Sequence, residues 1–225
     1  MVQFKEDHRP VYRNRHDNID IVMTELDALA NVDFTTREVK PEHRTLNVLR
    51  IGTCGAIHGD IPLGSYIFSI YSVGCDGLLN WYANRDNVSN LDMEKAFCKH
   101  VHWDKHLPAP YFIKASDYMI EKFADCTVPG VTISASGFYG PQGRVVRLPL
   151  AMPNMLEDFE SFRYGEYRIT NFEMEGSALA GLAKQLGHNA GTVCRYSPGR
   201  GTCPWCRRCC CIGCHTASDS RSDTD

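Results

Sequence analysis

The stretch "TLNVLRIGTCGAI", residues 45–57, decides how the chain is to be read. Leu46, Val48, Leu49 and Ile51 make a short apolar run of strand length, and Gly52, Thr53 and Gly55 turn it into a glycine-rich bend. Arg50 interrupts the run. A guanidinium inside a buried strand is costly unless it is paired or bound to something. Two readings follow from these residues. In one, Arg50 forks onto a phosphate while Thr53 and nearby backbone N–H groups add donors. In the other, Arg50 meets a carboxylate and only stabilises the sheet.

Outward from this strand, the chain alternates elements. "DNIDIVMTELDALANV" (17–32) spaces Ile19, Val22, Leu26 and Leu29 along one helical face, with Asp17 or Asn18 as N-cap. "GSYIFSIYSVG" (64–74) and "GVTISASGFYG" (130–140) read as strands, the second opening into a Gly/Pro loop. "NLDMEKAFCKHV" (90–101) and "SDYMIEKFADC" (116–126) read as amphipathic helices. "EMEGSALAGLAKQLG" (173–187) is a helix rich in small residues with a stop at Gly187, and "NAGTVC" (189–194) is a last short strand. Strands alternating with helices predict an α/β fold, a mixed or parallel sheet covered by helices. Sites in such folds gather where strands end in glycine-containing turns.

Two further turns carry polar residues that a bare connection does not need. "SGFYGPQGR" (136–144) offers a ring at Phe138, an amide at Gln142 and a cation at Arg144. A flat heterocycle with carbonyl and N–H edges needs such a set, although an ordinary exposed turn has the same composition. "NFEMEGSA" (171–178) places Glu173 and Glu175 at a helix start. The helix dipole favours acids there, and a carboxylate in that place can equally accept hydrogen bonds from vicinal sugar hydroxyls, with Met174 as an apolar wall. Together the three turns hold the inventory for a nucleoside plus phosphate.

The 225 residues suit one large domain, with 43% hydrophobic and 23% charged residues. A formal charge of -3 gives no electrostatic case for binding nucleic acid or an anionic membrane. No apolar run reaches the roughly 20 residues of a bilayer span, and the first residues have no apolar signal core. The expected location is the cytoplasm.

These segments resemble the nucleoside phosphorylase-I family, and within it the uridine-preferring branch. The resemblance runs from Asp17 to Cys194, carried by R-x-G-T-x-G at Arg50–Gly55, F-Y-x-x-Q-x-R at Phe138–Arg144 and N-F-E-M-E at Asn171–Glu175. It implies a three-layer αβα fold around a mixed sheet, and reversible phosphorolysis of uridine to uracil and ribose 1-phosphate. By resemblance, Arg50 and Thr53 hold phosphate. Thr53, Glu173, Met174 and Glu175 bind ribose, and Phe138, Gln142 and Arg144 bind the base. Gln142, Arg144 and Glu175 are the implied catalytic residues. The implied partners are nucleoside and phosphate within a homo-oligomer built from dimers, up to a hexamer, with no metal and no cofactor beyond phosphate as co-substrate.

Both ends depart from the family pattern. Residues 1–16 are polar and do not match, and a one-base shift across Tyr12–His16 can read Thr-Gly-Ile-Gly-Thr, a turn the family carries there. Residues 195–225 also fail to match and are expected to lack regular structure. Their six cysteines include Cys203-x-x-Cys206 and Cys211-x-x-Cys214. Only four residues separate these pairs, whereas structural zinc sites of this type place roughly 12 to 20 between them. "CKHVHWDKH" (98–106) alternates Cys98, His100, His102, Asp104 and His106, a metal face if it were a strand and a polar connection after a helix. An inactive, truncated family member, and less so a metal-binding protein, stand beside the enzyme as readings.

Overall fold

The structure, a computed structural model, describes residues 2–4, 10–12 and 18–197. In chain order it contains β1 (Val2–Phe4), β2 (Pro10–Tyr12), α1 (Ile19–Asn31), β3 (Val32–Asp33), β4 (Glu38–Val39), β5 (Asn47–Ala56), β6 (Tyr66–Gly74), α2 (Leu91–His100), β7 (Tyr111–Lys114), α3 (Asp117–Phe123), β8 (Val128–Ser134), α4 (Met155–Ser161), β9 (Arg163–Tyr164), β10 (Tyr167–Glu173), α5 (Gly176–Gln185) and β11 (Asn189–Ser197). Helix starts follow local chemistry: the Asn90 and Ser116 side chains accept from Met93 N–H and Met119 N–H and so cap α2 and α3.

Among the described residues the main sheet has seven strands in the order β11-β5-β10-β8-β6-β7, with β9 on β10. β11 is parallel to β5 and antiparallel to β6, so the mixed sheet curls until it closes on itself. The alternation of strand and helix predicted an α/β fold with a mixed or parallel sheet; the sheet is mixed, as the family resemblance implied, and closure by β11 is the feature the alternation did not contain.

Helices cover this sheet through separate apolar clusters. Ile19 and Met23 of α1 meet Leu179, Leu182 and Ala183 of α5. Phe97 of α2 and Phe159 of α4 pack with Phe112, Val131, Ile133 and Phe172 from three strands, β7, β8 and β10. Met119 of α3 lies against Phe68, Ile70 and Val193.

Three expectations are corrected. The α1 stripe that enters the core is Ile19 and Met23, while Leu29 is exposed, because α5 meets the beginning of the helix. Asn18 makes no side-chain cap hydrogen bond, and Asp17 lies outside the described residues. β11 does not stop at Cys194. It pairs with β5 as far as Ser197 opposite Gly55, because Tyr196 is fully buried between Ile61, Ile67 and Cys54. Its hydroxyl accepts from the N–H groups of Ile57 and His58 at 3.1 and 3.0 Å and donates to His58 O at 2.9 Å.

At the N-terminus, Val2–Phe4 pairs antiparallel with Pro10–Tyr12, within the polar segment that departs from the family pattern. The cysteine pairs at 203–214 lie outside the described residues. The 98–106 segment is a helix end and a turn: His100 closes α2 and meets Ser161 Oγ at 2.9 Å, while Asp104 accepts from His106 N–H.

Candidate functional site

Strand β5 carries Arg50 to the bend between β10 and α5. Its Nη2 is ion-paired with Glu175 and lies 3.1 Å from Glu173 Oε2, and its Nη1 donates to Cys194 Sγ at 3.3 Å. The guanidinium folds back over Gly52, where an added Cβ would stand 2.9 Å from Nη1. The glycine two residues on is therefore the place where the arginine lies. Burial by itself would lower the Arg50 pKa, but Glu173, Cys194 and Glu175 outweigh it and hold the pKa above the ordinary arginine value.

The two carboxylates differ. The Glu173 side chain is 1% exposed and both its oxygens are engaged. Oε1 accepts from the Ser134 hydroxyl and Gly176 N–H, and Oε2 accepts from Glu175 N–H at 2.8 Å and Gly176 N–H at 2.9 Å. Ser134 Oγ in turn accepts from Ser177 N–H at 2.8 Å. Glu173 thus occupies the unpaired N–H groups at the start of α5, where the helix dipole also favours a negative charge. Glu175 is 17% exposed, and among the described residues Arg50 is the partner recorded for its side chain. Met174, half-buried, separates the two.

The base-reading candidates sit on the loop after β8. Arg144 lies 3.9 Å over the Phe138 ring and donates through Nη1 to Phe138 O at 2.5 Å and to Gln142 Oε1 at 2.6 Å. Gln142 is buried, and Gly143 between the two has φ +72 with Leu156 packed against its open side. A side chain at Gly143 would be both strained and blocked. With Gln142 Oε1 taken by Arg144, the Nε2 amide group is the edge left for a ligand. Gly55 approaches this loop: a Cβ there would be 3.7 Å from Arg144 Nη2.

Strand β5 therefore meets the ion cluster at Gly52 and the loop at Gly55. Thr53 does not join Arg50. Three residues apart on a continuous strand, they project from opposite faces, and Thr53 is exposed. Arg144 also lines an apolar cavity of about 750 Å³ with Trp103, Leu148, Met152 and Phe159, which Arg50, Glu173 and Glu175 do not reach.

Sequence reading missed Ser134 and Cys194 as parts of the cluster. Ser134 is a polar residue at the inner end of an apolar strand, the kind of signal that could have found it. Chemically, the set offers a carboxylate with a free oxygen, a cation beside it, and an amide–guanidinium pair against an aromatic ring.

The sequence profile of the phosphorylase superfamily matches residues 16–201. The chain belongs to this family. The nucleoside phosphorylase resemblance drawn from the three turns is thereby confirmed. Among curated relatives, the chain is 27% identical over 157 residues to a uridine phosphorylase of Thermococcus kodakarensis, covering 68% of this chain and 49% of that protein. It is 26% identical over 163 residues to a DeoD-type purine nucleoside phosphorylase of Pasteurella multocida, covering 72% and 55%. The chain thus spans about half the length of the curated relatives it matches. A solved Trypanosoma brucei nucleoside phosphorylase, described as showing uridine phosphorylase activity, superposes with a TM-score of 0.65 at 26% identity, covering 80% of this chain and 67% of that one. No helix among the described residues is long and apolar enough to cross a membrane.

Proposed function

We propose that the site transfers the ribosyl group of a pyrimidine nucleoside, uridine foremost, to phosphate, yielding uracil and ribose 1-phosphate. One observation carries this reading. A partly exposed Glu175 with a free oxygen stands beside Arg50, on a strand whose Gly55 meets the Gln142–Arg144 pair. Vicinal ribose hydroxyls suit a carboxylate that only accepts. A tetrahedral anion suits Arg50, and the carbonyl and N–H edge of uracil suits the Gln142 amide with the Arg144 guanidinium.

In the reaction, the C1′–N1 bond lengthens and the ribose takes on oxocarbenium character while phosphate attacks from the opposite face. Negative charge grows on the departing uracil, where Arg144 and Gln142 are placed to stabilise it. Glu175 holds the ribose through its hydroxyls. Glu173, with both oxygens used internally, serves as a positioning residue for the bend and for Arg50 and has no lone pair to spare for ribose. The same reading has the chain working as a homo-oligomer, which light scattering on the full chain checks.

The test is uracil release from uridine by the full chain, with and without phosphate and with inosine as comparator. Release that requires phosphate and falls about 100-fold in kcat/KM in Gln142→Ala or Arg144→Ala supports the reading. Release that ignores phosphate, or variants with full activity, overturns it.

A further inference from the structure

The ion cluster raises a problem for its own proposed ligand. One guanidinium faces two carboxylates, and both carboxylates are on Nη2, with Cys194 Sγ on Nη1. A phosphate dianion approaching Arg50 meets an excess of negative charge and a cation whose Nη2 is shared by both carboxylates. Like charges at such short range in a partly buried site oppose binding strongly. The anion site is closed until one carboxylate leaves.

The two carboxylates are not equally free to leave. Glu173 is held by the Ser134 hydroxyl and by three bonds from two backbone N–H groups, those of Glu175 and Gly176, and it is packed against Gly176, whose added Cβ would stand 3.0 Å from Oε1. Moving it would strand those donors in a buried place. Glu175 has no such anchors. Its side chain is recorded on Arg50, it is partly exposed, and it follows a bend. It is the member that can exchange partners.

Resting on the nucleoside reading above, we infer that Glu175 is a latch on Arg50, and that a nucleoside opens the anion site by drawing Glu175 onto its ribose 2′- and 3′-hydroxyls. The exchange replaces an ion pair by two hydroxyl-to-carboxylate hydrogen bonds and leaves Arg50 with an unoccupied donor and one fixed carboxylate. Nucleoside and phosphate then bind with positive coupling, and the linkage is reciprocal: each tightens the other by the same factor. Bound to the free protein alone, phosphate is weak.

The experiment measures sulfate binding to the full chain by calorimetry, since sulfate is a tetrahedral dianion that cannot displace the base. Uridine at saturation is expected to tighten sulfate by at least about fivefold, and sulfate to tighten uridine equally. 2′,3′-Dideoxyuridine, which lacks the diol, is expected to bind without this effect. Glu175→Gln, which removes one negative charge from the cluster, is expected to bind sulfate tightly without nucleoside and to lose the coupling.

Sulfate that binds equally tightly with and without uridine overturns the latch while leaving the nucleoside reading standing. Coupling that persists with dideoxyuridine overturns the role of Glu175. Absence of any uridine binding overturns the nucleoside reading and the latch together. The uridine and dideoxyuridine arms use the unaltered chain, so the outcome does not depend on the variant folding.

Discussion

The ion cluster and the 136–144 loop sit against the same strand three residues apart, yet they are built in different ways. Around Arg50 the side chains come from β5, β10 and β11, and the bend into α5 is fastened by Glu173 and Ser134. On the loop, Phe138 and Tyr139 are about half exposed, and Arg144 is held chiefly by its own neighbours, Phe138 and Gln142. The cluster is part of the fold and its polar groups are satisfied before any ligand arrives. The loop contacts itself, so its geometry is set locally and its partners are largely still to come. The difference teaches where stability and recognition lie. Removing the anchored cluster member, Glu173, should cost far more stability than removing a loop member.

The largest effect tests this directly. Glu173→Ala keeps Arg50 paired with Glu175 but leaves the N–H groups of Glu175 and Gly176 and the Ser134 hydroxyl without their acceptor, so it should cost about 3–5 kcal/mol of stability, at about 1–3 kcal/mol for each buried group left unpaired. Arg144→Ala, on a partly exposed loop, leaves one buried acceptor, Gln142 Oε1, without its donor and should cost about 1 kcal/mol. Urea denaturation of both variants checks the pair. Equal losses would break the distinction between cluster and loop.

A middle-sized effect extends the comparison to the end of β11. Tyr196→Phe keeps the packed ring but removes the hydroxyl that serves the backbone of Ile57 and His58. The His58 N–H loses its acceptor and the Ile57 N–H keeps only Thr170 O at 3.3 Å, at a cost of about 1–3 kcal/mol. The melting temperature and hydrogen exchange at residues 57–58 report it. Unchanged exchange there would mean that the connection after β5 is held by something other than Tyr196.

Much of this was legible in the sequence, and the boundary is physical. Arg50, Glu173 and Glu175 could be found because charges inside or at the ends of apolar elements must be compensated, and R-x-G announces that the backbone makes room for the arginine. The local residues posed two readings of Arg50, an anion site or an internal ion pair. The fold joins them, since the arginine is in an ion pair whose one exposed member could give way to a ligand. The division of labour between Glu173 and Glu175 was not legible. It depends on Ser134 from a strand 39 residues earlier in the chain, and on which carboxylate points into the helix start. That Thr53 lies on the opposite face of β5 from Arg50 was not legible for a related reason. Glycines suggested a turn, which would let Arg50 and Thr53 converge, whereas pairing with β11 keeps β5 extended through both. Tyr196 was lost because the strand was ended where the familiar pattern ended, and the burial of an aromatic ring was the stronger signal.

The smallest effect concerns the same connection and is one of pH. His58 is buried, with Nε2 2.7 Å from Ile169 O. Burial lowers its pKa below the ordinary 6.5, and Arg168 and Arg163 push the same way. The Ile169 carbonyl and Asp60 oppose them without reversing the shift, and Glu160 lies at 4.0 Å from Nδ1. The folded protein thus resists protonating a group that the unfolded chain protonates readily. This contribution to stability is complete above about pH 6.5, where both states hold the imidazole neutral. It declines as pH falls toward the lowered folded value, and below that value His58 adds no further slope. Melting temperature followed from about pH 8 to about pH 5 should therefore fall through this window, and His58→Gln should flatten the fall relative to the unaltered chain. Parallel curves would assign the acid sensitivity to other groups. A flattened curve would place the connection after β5 with the ion cluster, among the parts fixed by the fold before any ligand binds.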